Sequence, residues 1–325
     1  MNRLNRTTVI LLMLAVALLA TLPWVLEEYY ASLVVRMMIL GLFAMSLDLL
    51  IGFTGLVSFG HAAFFGLAGY LLGMLTPDSG PVSIWLVLPL ILLGTAFAAL
   101  VIGWFSVRTS GIYFIMITLA FAQMLFYYFN ENTDLGGSDG LFIFYKPTVE
   151  LGGVTLLDLD NHTVYYYVVL ASLVAAYLLL RRLLDAPFGQ VIQAIRANEG
   201  RTRALGFATG RYKLASFVIA GTLAGYAGFL EAVHTGIVSP AHLGWHESGA
   251  AMMTVILGGM GTLHGPILGA FALGYLQDWL QDVSEHAQLY IGLFVIAVVL
   301  FLPHGIAGLF EQVAARLRRK PGSPE

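Results

Sequence analysis

Ten apolar stretches, near 9–26, 32–51, 61–76, 82–106, 112–130, 164–183, 214–235, 249–262, 265–281 and 288–309, run through the chain with little sequence between them. An α-helix needs about 20 mostly apolar residues to cross the hydrocarbon core of a bilayer. Inside that core each backbone N–H and C=O must be bonded within the protein, which long continuous apolar runs achieve as helices. The expected fold is therefore an all-α integral membrane protein, a polytopic bundle of about ten transmembrane helices. Composition agrees: 58% of the 325 residues are apolar and 11% are charged, against roughly 25% charged in a soluble domain. Ten spans take up roughly 200 residues, which leaves no room for a soluble catalytic domain. The chain has no cysteine, so disulfides, thiol catalysis and Cys-ligated metals are excluded. The first span follows Arg3 and Arg6. It is long for a signal-peptide core and lacks a clean cleavage site, so it is expected to be a retained helix.

Basic residues set the orientation, because loops rich in Lys and Arg stay cytoplasmic. With the N-terminus inside, alternation puts Arg108, the Arg181–Lys213 region and the tail with Arg316, Arg318, Arg319 and Lys320 inside as well. Glu27, Glu28, Asp78, Glu131, Asp134, Asp139, Asp158 and Asp160 then fall outside, and only Arg36 and Lys146 break the pattern. Both termini are expected to be cytoplasmic. Residues 1–310 read as one membrane domain with an external loop at 131–163 and a cytoplasmic loop at 185–213, followed by a short basic tail at 311–325.

The stretch from Gly52 to His61, with further glycines at Gly55 and Gly60, interrupts an apolar run at bilayer depth. Glycine weakens a helix and bares its backbone. Irregular backbone is tolerated in a membrane where protein or a water-filled path surrounds it, and transporters build substrate sites from such broken helices. Gly52, Gly55, Ser58, Gly60 and His61 are therefore the candidate substrate path, with close packing through small residues as the bland alternative. A weak echo links Gly60–Tyr70 to His264–Tyr275, although Gly/Ala-rich helices resemble one another by composition alone.

Arg36, Asp48, His61, Glu231 and His234 fall in or near apolar spans. Charges there are functional candidates by default. Arg36, Glu231 and His234 sit near span ends and can snorkel to the interface, while Asp48 is placed to cap the glycine-rich break. No second carboxylate lies near Asp48 in sequence to form a proton relay, which argues against an ion-coupled carrier. His242 and His246 have the i,i+4 spacing of helical metal ligands, with Glu247 next. Their segment reads as an external loop, so no metal site is assigned. Catalytic and phosphate-loop motifs are absent from the sequence.

The cytoplasmic loop carries the strongest local signal. Asp185 reads as an N-cap with Pro187 in the first turn. Phe188, Val191, Ile192 and Ile195 fall on one helical face, and Gln190, Gln193, Arg196 and Glu199 lie elsewhere. Gly200 and Gly206 interrupt the pattern. Such an amphipathic helix can lie on the membrane, cap its own bundle, or dock on a partner.

From Asp185 to Glu199, and on through Ala204-Leu-Gly206 to Arg211-Tyr-Lys213, this loop resembles that of branched-chain amino-acid ABC transporter permeases of the LivM type. Gly52–Tyr70, Gly136–Leu141 and Gly258–Pro266 resemble the same family, and the likeness runs from about residue 36 to residue 310. The resemblance implies a permease subunit of an ATP-driven importer in a bacterial inner membrane, for branched-chain or related small amino acids. Relatives for urea and short amides share the pattern. It further implies a second, LivH-type permease subunit, two cytoplasmic ATPase subunits that carry ATP and Mg²⁺, and an external binding protein. No cofactor is implied in this chain, and no nucleic acid. Residues 188–199 would be the coupling helix, with Phe188, Val191, Ile192, Ile195, Arg196, Glu199 and Gly206 contacting the ATPase. The Glu199-to-Gly206 spacing departs from the most general loop pattern of such permeases.

Overall fold

The computed structural model describes residues 6–77, 80–151, 154–302 and 305–308. Arg3, Asp78 and the basic tail at 311–325 lie outside the described residues.

Helices form at all ten apolar spans, with one more in the basic loop at 185–213. They are α1 (Arg6–Thr21), α2 (Glu28–Asp48), α3 (Ala62–Leu75), α4 (Ile84–Ser106), α5 (Ile112–Glu131), α6 (His162–Asp185), α7 (Pro187–Ala204), α8 (Thr209–Thr235), α9 (Trp245–Gly258), α10 (Gly265–Val283) and α11 (Ala287–Phe301). Five segments are long and apolar enough to cross a membrane unaided: α2 with its extension to Thr54, α4, α5, α6 and α8. The protein is thus an all-α polytopic membrane protein.

Burial ranks the helices by position. In their most apolar windows α2 is 83% buried and α8 67%, whereas α4 and α5 are 33% and 22% buried. The bundle therefore centres on α2 and α8, and α4 and α5 turn most of their surface outward. Small residues let α8 sit at the centre. A Cβ at Gly228 would overlap the Phe65 carbonyl of α3, and one at Gly225 would stand 2.7 Å from Thr95 of α4. Such close approach is how membrane helices gain packing contact where no hydrophobic effect drives them together. Three tyrosines tie α6 to its neighbours, Tyr166 and Tyr167 donating to the carbonyls of Leu19 and Ala20, and Tyr165 to that of Leu230.

Several boundaries differ from the sequence reading. Asp185 closes α6 and pairs with Arg181, so the N-cap of α7 is Ala186, without a side-chain hydrogen bond. Proline at the first helical position suffices there, since its missing N–H would have had no partner. The eighth span begins earlier, at Trp245, and stops at Gly258, because Gly259 adopts φ 118. The loop between α5 and α6 holds structure of its own. Strand β1 (Leu141–Phe142) pairs with β4 (Ile237–Val238), and β2 (Val149–Leu151) pairs with β3 (Val154–Leu157), both antiparallel. Gly140 approaches the Val238 carbonyl so closely that no Cβ would fit.

Candidate functional site where two broken helices meet

The break at the end of α2 starts before its glycines. Residues Leu49–Thr54 form a π-turn, and Gly55 closes it with φ 80 while donating to the Leu50 carbonyl. Turns of this kind are uncommon and concentrate at functional sites. A second break joins α9 to α10, where Gly259 and Gly261 both have positive φ. The two breaks touch. Asp48, wholly buried, accepts a hydrogen bond from the Gly261 N–H at 2.9 Å. A Cβ on Gly52 would overlap the Asp48 carboxylate and sit 2.5 Å from the Gly261 nitrogen, so glycine is required for the contact.

Helix α7 packs on this junction, and one of its side chains bonds to it. The Arg196 guanidinium donates to the Gly52 carbonyl, an acceptor on the irregular π-turn. The aliphatic stem of Arg196 lies over Gly55, within 3.2 Å of where a Cβ would stand. Its charge also reaches Asp48, whose second carboxylate oxygen has no hydrogen-bond partner among the described residues.

His61 begins the next helix. It is wholly buried, stacks on Phe43 at 5.4 Å and lies 2.8 Å from the Ser46 hydroxyl. Ser46 donates its own hydrogen to the Phe43 carbonyl at 2.6 Å, so His61 must donate from Nε2. Nδ1 is then an acceptor, and it has no partner among the described residues. Ser58 is also buried and accepts from the Gly60 N–H at 3.3 Å. Gly60 lies against α5, where a Cβ would overlap the Thr118 carbonyl. Of the five path candidates, only Gly55 is exposed; the other four are enclosed by protein.

The coupling candidates are placed differently from expectation. Val191, Ile192 and Ile195 are 8%, 0% and 5% exposed, turned into the chain's own bundle. Phe188 is half-buried and stacks on Tyr212 at 5.8 Å. The exposed face of α7 carries Gln190, Ala194, Arg196 and Ala197. The helix is also interrupted before Glu199. Asn198 is extended, and its side chain accepts from the Arg201 N–H at 2.9 Å, capping a short second segment. Glu199 is a hub of the loop's own contacts. It accepts from Arg203 at 2.8 Å, Thr209 at 3.1 Å and the buried Lys213 at 3.2 Å. Partial burial pushes the Glu199 carboxyl up, but the bonds and charges of Lys213, Thr209 and Arg203 outweigh this and hold it below the ordinary value. Gly206 is exposed with φ 91 and ends the segment.

Two features were not visible in sequence. Arg36 and Glu231 form an ion pair at 3.8 Å between α2 and α8. Beside them His234 meets the Ser32 hydroxyl at 3.1 Å and stacks on Tyr165. His242 lies in a 3₁₀ turn (Pro240–Leu243) and His246 in α9, so their spacing does not put them on one helix face.

A helical bundle whose broken helices meet at one end beneath a basic loop is an arrangement from which membrane transporters build their paths. The chain belongs to the family described as branched-chain amino acid transport system / permease component, whose model matches residues 29–303. It is 28% identical over 319 residues to the high-affinity branched-chain amino acid transport system permease protein LivM of Salmonella typhimurium, covering 92% of this chain and 74% of that one. The LivM protein of Escherichia coli K12 is 29% identical over 334 residues, covering 97% and 77%. A shorter match, 28% over 121 residues, links 35% of the chain to the ribose import permease protein RbsC of Haemophilus influenzae. No solved structure matches the chain.

Proposed function

We propose that this chain carries branched-chain amino acids across a bacterial inner membrane, with both termini cytoplasmic, as one of two permease subunits in an ATP-driven importer. Its partners are a homologous LivH-type permease, two cytoplasmic ATPases that hold ATP and Mg²⁺, and an external binding protein. The observation that carries the mechanism is the Arg196 hydrogen bond to the Gly52 carbonyl. It joins the loop facing the ATPases to the junction of the two breaks. When α7 moves with the ATPases, Arg196 pulls on the π-turn, and the turn shifts Gly55, Ser58 and His61 relative to Gly261. Irregular backbone suits this role, because its carbonyls can exchange partners without breaking a helix ladder.

Docking uses the exposed face of α7, with Gln190, Ala194 and Ala197, since its apolar face is already covered. The test is an Arg196→Ala variant in the complete transporter. The ATPases should still co-purify, while uptake falls at least about tenfold and ATP hydrolysis no longer responds to loaded binding protein. Full uptake by this variant would refute the linkage. Loss of the ATPases would mean that Arg196 holds the partner rather than transmitting its motion.

A further inference from the structure

A second site lies at the opposite flank of the cytoplasmic loop. A cleft of about 570 Å³ opens between the end of α4, the turn into α5 and the start of α8. Four basic residues line it, Arg108, Arg203, Arg211 and Lys213, with one acid, Glu199. Four positive charges less one negative leave +3 in the cleft. The charges are unequally used. Glu199 pairs with both Arg203 and Lys213. Arg108 and Arg211 form no ion pair with any described residue.

The surroundings of the cleft indicate what fills it. Leu90, Leu93, Phe97, Val101 and Trp104 are all exposed on α4, at helical spacing along one face. This exposed apolar stripe runs into the cleft at Trp104, where the Arg108 guanidinium lies 4.6 Å from the Trp104 ring centre. Tryptophan favours the level of lipid headgroups, and a cation on its face remains free to bind an anion at its edge. Basic pockets at this depth recognise anionic headgroups.

We propose that the cleft binds the phosphate of an anionic phospholipid, with Arg108 and Arg211 as the anion ligands and an acyl chain laid along the α4 stripe. A soluble phosphate compound would match the two arginines but would leave the adjoining stripe unused. The site sits against Glu199 and Arg203, so an occupying lipid bears on the same loop that holds Arg196. The inference needs only the meeting of cleft and stripe and is independent of the substrate.

The test is native mass spectrometry of the full chain in detergent, titrated with phosphatidylglycerol, phosphatidylcholine or inorganic phosphate. Phosphatidylglycerol should be retained at least about tenfold better than phosphatidylcholine. An R108Q/R211Q variant should lose that preference, and R108K/R211K should keep most of it. Arg108 and Arg211 are both exposed, so each variant should fold, and unchanged melting checks this. Equal retention of both lipids, or undiminished preference in R108Q/R211Q, would overturn the site. Displacement of the lipid by millimolar inorganic phosphate would overturn the lipid assignment. So would an R108Q/R211Q variant that loses ATPase association while its lipid retention is unchanged, because the cleft would then belong to the protein partner.

Discussion

At the scale of single residues, glycines and one carboxylate carry the most specific expectations. Gly55 and Gly60 belong to the same break yet do different work. Gly60 is pinned against the Thr118 carbonyl, so Gly60→Leu should prevent α3 from seating on α5 and leave little folded chain, as measured by membrane abundance. Gly55 is exposed with φ 80. Gly55→Ala should fold with a penalty of about 1 kcal/mol and show its main effect in uptake. Glu199 supplies a pH dependence. Its carboxyl is held below the ordinary value of 4.5 in the folded loop. The stabilisation is therefore fully present above that ordinary value and is lost as pH falls through the lower folded value. Hydrogen exchange at residues 199–213 should speed up below about pH 4.5 relative to the α8 core. In Glu199→Gln the exchange should already be fast at neutral pH and insensitive to acid, because the buried Lys213 has lost its partner.

At the scale of elements, α7 shows what sequence periodicity can and cannot tell. The apolar face formed by Val191, Ile192 and Ile195 was legible at helical spacing. What covers it was not, because a hydrophobic stripe reads the same whether its own bundle or a partner buries it. The structure closes it internally. Ile192→Ala should accordingly cost about 2–5 kcal/mol of the chain's own stability, lowering its melting temperature with or without the ATPases. Gln190→Arg with Ala194→Arg should leave melting unchanged and abolish ATPase co-purification. The spans themselves were legible because lipid imposes a local rule on each helix. The glycine-rich break was legible in part: its glycines stand out, but the first residues of the π-turn, Leu49–Ile51, have ordinary composition. The junction was hidden, because Asp48 and Gly261 lie 213 residues apart and nothing in either segment names the other.

At the scale of the molecule, the question is how many times the chain crosses. Helices α3 and α9 have 14 residues each, about 21 Å of helix, short of the roughly 30 Å hydrocarbon core. Length alone would allow either to turn back. Contacts at the two ends of the bundle decide otherwise. At one end, Arg196 meets Gly52, and Asp48 meets Gly261, so the α2–α3 break, α7 and the α9–α10 break share a level. At the other, β1 pairs with β4, so the α5–α6 loop and the end of α8 share the opposite level. From α7 the chain must leave along α8 and return along α9 to bring Gly261 back to Asp48. The segment Pro240–Gly244 makes up the depth that α9 lacks. By the same reasoning Gly55–His61 extends α3. Reporter fusions at Asp139 and Ser239 should therefore give one side, and fusions at Arg201 and Thr262 the other, with the basic loops assigning the second pair to the cytoplasm. A reporter at Thr262 that shares its side with Asp139 would mean that α9 does not cross. The two breaks would then lie on opposite faces, and Arg196 could not act on both.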